Sequence, residues 1–524
     1  MTDVKPHIAV IGAGIGGLAA ALRLAHGGAR VTVFERHAGP GGKMRTMPSA
    51  AGPVDAGPTV LTLKKVFEDL FAQTGSALHR HVTLQQEHVI ARHFWPDGTT
   101  LDLTSDSAEN KANIGRVFGR KSAEDFAKFD TRSAQLFAAF DEPIMQAADP
   151  KIVNLIAKVA RNPALIPLIE GHRSLHSSLL KQFSEPKLAQ LFGRYATYIG
   201  GRPDASPALL SLIWRAESQG VWHVSGGMHM LAKAIAQRAA DCGAQFRYHA
   251  HVEQIEMAAG KPAAVVTAEG RTPIDAVLFN GDPRALRSGM LGKAVKAAIR
   301  QKGVTPRSLS ACVHSFAAQA QGVPLAAHNV FFCADPHSEF DALAQDRMPQ
   351  DATLYVCAQD RFSGQNPACL ERFEIIANAP PVADGAPLHA KDREICHTAI
   401  MMRLKHFGLR FTPHPEIGSL TMPQQFSALF PASNGALYGR SPHGMMAAFN
   451  RPTVRSRIPG LYLVGGGIHP GAGVPMATLC AAHAAEAMLK DLSLTSTSHQ
   501  AAMPGGTSTA SQTMVPAPSL SSDS

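Results

Sequence analysis

Cysteine is sparse in this sequence and nothing pairs it. Seven residues stand at 242, 312, 333, 357, 369, 396 and 480, with no CxxC spacing. That pattern excludes a disulfide framework and a zinc ribbon, suits a reducing compartment, and leaves no metal site to expect. Aromatics are thin too, with three Trp and six Tyr among 524 residues, too few for an aromatic cage around a substrate cation. Long apolar runs are missing: no stretch reaches the roughly 18 residues of a membrane-spanning helix. Charged residues make up only 17%, yet they sum to +9. Such an excess favours an anionic partner, either nucleic acid or a lipid surface. No block of Lys or Arg and no nucleic-acid motif occurs, so no nucleic acid is expected and the membrane surface is left.

What is present begins at the amino end. His7 to Ile11 is apolar, Gly12-Ala13-Gly14-Ile15-Gly16-Gly17 is a glycine turn, and an alanine-rich helical pattern follows. A second apolar run, Val31 to Phe34, ends on Glu35, about twenty residues after the first glycine. Strand, turn, helix, strand and acid in that order are a dinucleotide fingerprint. Gly12 permits the tight turn, Gly14 lets main chain approach a pyrophosphate, and Gly17 lets helix and strand pack closely. The anion then sits at a helix N-terminus, where free N–H groups and the dipole favour it. Glu35 would accept from a ribose 2′-hydroxyl and repel a 2′-phosphate. A secretory signal is the competing reading of residues 8–22; fingerprint spacing and the lack of a small-residue cleavage site argue against it.

Downstream, Gly41-Gly42 offers a second close backbone approach, and Arg45 can reach phosphates or simply sit solvated in a surface turn. Asp55 to Val60 is a turn leading to a helix near Thr62. Residues 82–103 alternate around Pro96-Asp97-Gly98, as two short strands do. Residues 107–200 are mostly helical. Ile152, Val153, Leu155, Ile156 and Val159 share one helical face, with Lys151, Lys158 and Arg161 near the other. Such a helix either lies in a membrane interface or packs on a core with a wet basic side. Gly226-Gly227 precedes a helix over 228–241, and strands follow at 245–249 and 277–282. Strand patterns at 309–316, 329–333 and 353–358 complete a second sheet. His328, His337 and His397 lack metal-ligand spacing. Gly460 to Met476 repeats the strand, glycine turn and helix start, suited to a phosphate or a flavin ring edge, or to packing alone.

This rhythm predicts an α/β fold: a discontinuous Rossmann-like cofactor domain (residues 1–80, 206–290 and 451–493) and a second, mixed-sheet substrate domain (81–106 and 291–450). A helical, membrane-facing subdomain (107–205) and a disordered Ser/Thr/Pro-rich tail (494–524) complete it.

The fingerprint with Glu35, the Gly41-Gly42 to Arg45 element, Asp55-Ala56-Gly57-Pro58 and, most specifically, Gly466-Gly467-Ile468-His469-Pro470-Gly471-Ala472-Gly473-Val474-Pro475 resemble the bacterial phytoene-desaturase-type carotenoid desaturases. The resemblance covers roughly residues 5–492 and implies an amine-oxidase-like FAD protein. Arg194 to Tyr198, Trp214 to Glu217, Gly220 to Trp222, His328 to Phe332 and Tyr355 to Arg361 are most similar to the hydroxyneurosporene (methoxyneurosporene) desaturases of purple photosynthetic bacteria. Those are 1-hydroxycarotenoid 3,4-desaturases of the spheroidene and spirilloxanthin routes.

The resemblance implies roles for matching positions. Gly12, Gly14 and Gly17 would hold the pyrophosphate, Glu35 the adenosine ribose, and Arg45 the phosphate or ribityl region. Val252 would meet the adenine through its backbone, and the turn from Gly466 and Gly467 to Met476 would cover the flavin. Ala13, Ile15, Gly16, Arg36, Gly42, Lys43, Met44, Pro58 and Thr59 complete the contact set. Met476 departs from the glycine often found there and would reshape the wall. No base stands out; His469, Asp282 and Glu217 are candidates, each equally readable as packing or capping. A carotenoid substrate implies a peripheral place on the cytoplasmic face of the membrane, and reoxidation by oxygen or a quinone. Alternatives are a phytoene desaturase, a flavin-dependent carotene isomerase, a soluble amine oxidase or a flavoprotein that only carries carotenoid.

Overall fold

A computed structural model describes residues 5–365, 367 and 369–492; the predicted tail lies outside them. The first sheet grows from continuous apolar runs, the pattern of strands covered on both faces. His7–Ile11 lies at its centre, with every residue buried. Five parallel strands run in the order Leu461–Leu463, Ala276–Phe279, His7–Ile11, Arg30–Phe34, Gln245–Arg247. Sequence segments far apart therefore meet edge to edge in one sheet. Ile15–His26 packs against both Met228–Asp241 and Val474–Asp491. Its Ala19, Ala20 and Ala21 are fully buried, small enough to let these helices approach closely.

A second sheet is mixed. Its path is Arg410–Thr412, Ser310–Gln321, Glu371–Ala379, Leu354–Ala358, His328–Phe331, Val89–Phe94, Thr100–Thr104, with Leu420–Thr421 also paired to Ser310–Gln321. Helices between 107 and 193 cover one face and share an apolar core with it, including Phe126, Phe192, Trp214, Val330 and Phe332. The register puts Val313, Ile376, Tyr355, Val330, His93 and Leu101 opposite one another in a single cross-strand row.

One local difference from expectation has a physical cause. The helix expected near Thr62 begins at Lys65, because Leu63 takes a φ of +48, outside the helical region. The amphipathic helix Ile152–Arg161 has no buried residue. Val153 is 73% and Ile156 61% exposed, so its apolar face is not packed on the core. Among the described residues no helix is long and apolar enough to cross a membrane.

Candidate functional site

Three glycine turns meet where the strands of the first sheet end. Gly12 has φ +100, which L side chains rarely adopt, and its N–H donates to Phe34 O at 2.8 Å. The turn is crowded by main chain on both sides. A Cβ at Gly42 would lie 2.9 Å from Gly14 Cα, and one at Gly16 would lie 2.9 Å from Gly465 Cα. Asn280 locks the arrangement, donating from Nδ2 to Gly12 O at 3.1 Å and Gly14 O at 3.3 Å. The helix behind, Ile15–His26, has no acidic residue in its first turn and no side-chain cap, so its leading N–H groups stay open to an anion.

These turns border a cavity of about 380 Å³. Gly12, Gly14, Ile15, Gly16, Glu35 and Arg36 form its first wall. Gly42, Lys43, Met44 and Pro58 form the second, and Val252, Gly466 and Gly467 lie on the third. Glu35 is 4% exposed; its Oε2 accepts from Ala13 N–H at 2.7 Å and its Oε1 from His37 N–H at 2.9 Å. A carboxylate has about four acceptor sites, so each oxygen retains one for a ribose hydroxyl.

Five expected contacts fall off the wall. Ala13 is spent on Glu35, and a Cβ at Gly17 would run into Gly12 O, so that glycine serves packing. Arg45 turns toward the second sheet. Its Nη2 donates to Thr421 Oγ1 at 2.9 Å and its guanidinium lies 5.6 Å above the Phe426 ring. Thr59 Oγ1 hydrogen-bonds the Tyr355 hydroxyl, 2.7 Å away. Met476 is half-buried in the helix Val474–Asp491 and does not line the cavity. Of the five, Arg45 and Thr59 have their polar atoms met by distant side chains.

Charge is asymmetric around the cavity. Lys43 opens onto it but is enclosed by protein beyond; desolvation pushes its pKa down to about 8, with Asp282 opposing and Arg307 and Arg451 adding to the fall. Among the described residues its ammonium donates to the Leu437 carbonyl. Arg451, which no motif marks, is buried and pulled down to about 10, chiefly by desolvation. It donates to Gly466 O at 2.9 Å, Tyr438 O at 3.1 Å and Arg440 O at 2.9 Å, tying two wall segments together. Asp282, on the wall, is the acid among them, and it forms an ion pair with Arg307. The Lys43 ammonium and the glycine cradle fit a dinucleotide's pyrophosphate.

Of the candidate bases only Asp282 lines this space, and its carboxylate is committed to other partners. Asp282 is paired to Arg307 and accepts from Arg284 N–H at 2.9 Å, capping the helix Pro283–Ser288. Glu217 lies off the cavity, with its oxygens accepting the hydroxyls of Tyr195 and Tyr198. His469 is also off it; its Nε2 donates to Ile144 O at 2.8 Å and Ala147 O at 2.9 Å, and burial drives its pKa down to about 4.

Glu374 is a buried acid that sequence reasoning missed. It sits two residues from the wall residue Ile376, with neither oxygen hydrogen-bonded by ordinary geometry. Burial, and then Asp55, raise its pKa, while Arg45 and the nearby Gly57 N–H oppose. Strand alternation alone could have placed it on the Ile376 face.

Known proteins match this architecture along its length. The model of the family described as flavin containing amine oxidoreductase matches residues 15–489. The hydroxyneurosporene desaturase of Cereibacter sphaeroides is 50% identical over 493 residues, covering 94% of this chain and 99% of that protein. The enzyme of that name from Rhodobacter capsulatus is 46% identical, covering 93% and 98%. A solved oxidoreductase of Methanosarcina mazei shares the fold, with a TM-score of 0.55 at 16% identity, covering 92% of this chain and 100% of that one. The chain therefore belongs to the flavin-containing amine oxidoreductase family, and its cofactor is FAD.

Proposed function

We propose that this chain is a carotenoid desaturase that introduces the C3–C4 double bond into a 1-hydroxy- or 1-methoxy-carotenoid of the hydroxyneurosporene type. The observation that carries the reading is a relative of that name, half identical across nearly all of both chains. The wall opposite the glycine turns suits the substrate: Val313, Ile376, Phe426 and Leu437 face the cavity, an apolar surface for a polyene end. Bound FAD supplies the two-electron oxidant. The chain's own task is to hold the polyene end against that apolar wall and keep water from it.

A polyene of this kind lives in the bilayer, so the protein has to meet the membrane. The helix Ile152–Arg161 supports docking there: its Ile152, Val153 and Ile156 are exposed, Ile166 beside it is 59% exposed, and Lys151 and Arg161 flank the patch. Each basic residue near an anionic surface contributes about 1 kcal/mol. The site of action is then the cytoplasmic membrane face, and oxygen or a membrane quinone reoxidises the flavin.

The test is turnover. Purified FAD-loaded protein should convert 1-hydroxyneurosporene to a product with one more conjugated double bond, seen as a red shift of its visible bands. Conversion of phytoene alone, isomerisation without desaturation, or peroxide release with polyamines and no change in the carotenoid would each sink the reading.

A further inference from the structure

One strand away from the cofactor cavity, the inner face of the eight-stranded sheet becomes polar. Ile376 lines the cavity. Across the register it is followed by Tyr355, Val330 and His93. Strands lie about 4.8 Å apart, so Tyr355 stands one such spacing from the wall. The row two residues along carries Glu374, Cys357 and His328. Tyr195 and Tyr198 pack into the same apolar cluster as Val330 and Tyr355, which brings Arg194 over this face. Its charge is felt by both His93 and His328.

Buried polar atoms lack partners there. Arg194 is 7% and His328 1% exposed. Nε and Nη2 of Arg194 and Nε2 of His328 make no hydrogen bond; Nη2 is 3.6 Å from Glu217 Oε2. The neighbours are already committed. Glu217 takes both tyrosine hydroxyls, and Tyr355 bonds Thr59 Oγ1 and His328 Nδ1, each at 2.7 Å. Native folds rarely leave such groups unmet unless water or a ligand meets them.

We propose that Arg194 and His328 bind the oxygen on C1 of the carotenoid, an inference that rests on the desaturase reading above. C1 is two bonds from C3, so its oxygen must sit close to the reacting carbons, on the cavity side of this face. A hydroxyl there accepts from Arg194 and donates to His328 Nε2. That nitrogen is free to accept because burial first, then His223 and Arg194, hold the ring neutral, with a pKa near 3. Nδ1–H then donates to Tyr355, and the tyrosine hydroxyl donates to Thr59. A methoxyl accepts from Arg194 but leaves His328 unmet. A hydrocarbon end leaves both unmet, and a site built for a hydroxyl rejects such an analogue strongly.

The experiment compares kcat/KM for 1-hydroxyneurosporene, its 1-methoxy analogue and neurosporene in wild type, Arg194→Met and His328→Phe, with flavin absorbance reporting loading. Wild type should rank them in that order, favouring the hydroxylated over the hydrocarbon substrate by at least ~10²-fold. His328→Phe keeps a ring beside Phe362 and should cut that ratio tenfold or more at full loading. An unchanged ratio in loaded His328→Phe overturns the inference, as does a wild type indifferent to the oxygen. If Arg194→Met does not fold, His328→Phe and the wild-type ranking carry the test. A loaded wild type that converts none of the three removes the desaturase reading and this inference together.

Discussion

Gly16→Ala is the sharpest probe of the claim that two glycine turns from opposite ends of the chain share one cofactor site. Gly16 sits in the helix Ile15–His26, where alanine would ordinarily gain about 0.5–1 kcal/mol over glycine. Here the new methyl would lie 2.9 Å from Gly465 Cα and 3.0 Å from both Gly465 N and Asn280 Oδ1. Carbon–carbon contact is comfortable at about 3.5–4.0 Å, so one turn must retreat by about 1 Å. Overpacking of this kind costs about 1–3 kcal/mol, leaving a net loss of about 0–2.5 kcal/mol, with a midpoint a little over 1. The displaced groups are the walls of the cavity, so the loss should appear in cofactor affinity. About 1.4 kcal/mol is tenfold in Kd. Titration of the apoprotein with FAD, followed by flavin fluorescence, should show Kd raised ~10-fold, with a smaller gain in melting temperature on adding FAD. Gly39→Ala is the control, because nothing lies within 4 Å of its added methyl. If Gly16→Ala binds FAD and melts as wild type does, the two turns do not act as one site.

Three further outcomes follow from the same structure. Arg307→Met leaves Asp282 buried without its cation, with both side chains at most 10% exposed. It should lower stability by about 3 kcal/mol, read as an earlier urea midpoint, and an unchanged midpoint would show the pair is incidental. His314 is fully buried between His397 Nδ1, 2.8 Å away, and Ser419 Oγ, 2.7 Å away; burial first, then His397 and Arg393, lower its pKa to about 3. Its stabilising contribution is complete above the unfolded value of about 6.5 and is lost as pH falls toward 3. At pH 5 the unfolded chain gains about 2 kcal/mol from protonating it. His314→Gln should shrink the wild-type stability difference between pH 7 and pH 5 by that amount, and an identical pH slope would contradict it. Val153→Asp with Ile156→Asp, on a helix with no buried residue, should leave the melting temperature unchanged while reducing sedimentation with anionic vesicles. Equal vesicle binding would place the docking surface elsewhere.

Much of the cofactor site was legible because it is written in backbone demands that are local in sequence. A strand that must turn sharply, approach a phosphate and start a helix needs glycine where Gly12, Gly14 and Gly17 stand, and an acid at the end of the next strand can only be Glu35. The amphipathic pattern of Ile152–Arg161 was equally plain. What it faced was not, since periodicity reports a stripe and only the tertiary structure leaves that stripe uncovered. The partners of Arg45 and Thr59 were hidden for the same reason: Thr421 and Tyr355 lie hundreds of residues away. Arg451 left no trace at all, because its partners are carbonyls, which every residue has.

The face proposed to read the substrate's oxygen lies further still from any motif. His93 meets Val330 through parallel pairing of Val89–Phe94 with His328–Phe331, strands separated by more than two hundred residues. Tyr355 meets Ile376, and His328 meets Cys357, through two antiparallel registers. Side chains alternate along a strand, so a slip of one residue in any of these pairings would turn its polar row away from the helical layer. Residues 194–217 bring Arg194 over that face only because Tyr195 and Trp214 are buried in the same cluster as Val330 and Phe332. The cofactor's identity is therefore set by short segments whose chemistry survives in isolation, whereas the substrate's polar end is recognised by a register. Substitutions that loosen this sheet without touching Arg194 or His328 should accordingly erode selectivity before they release the flavin.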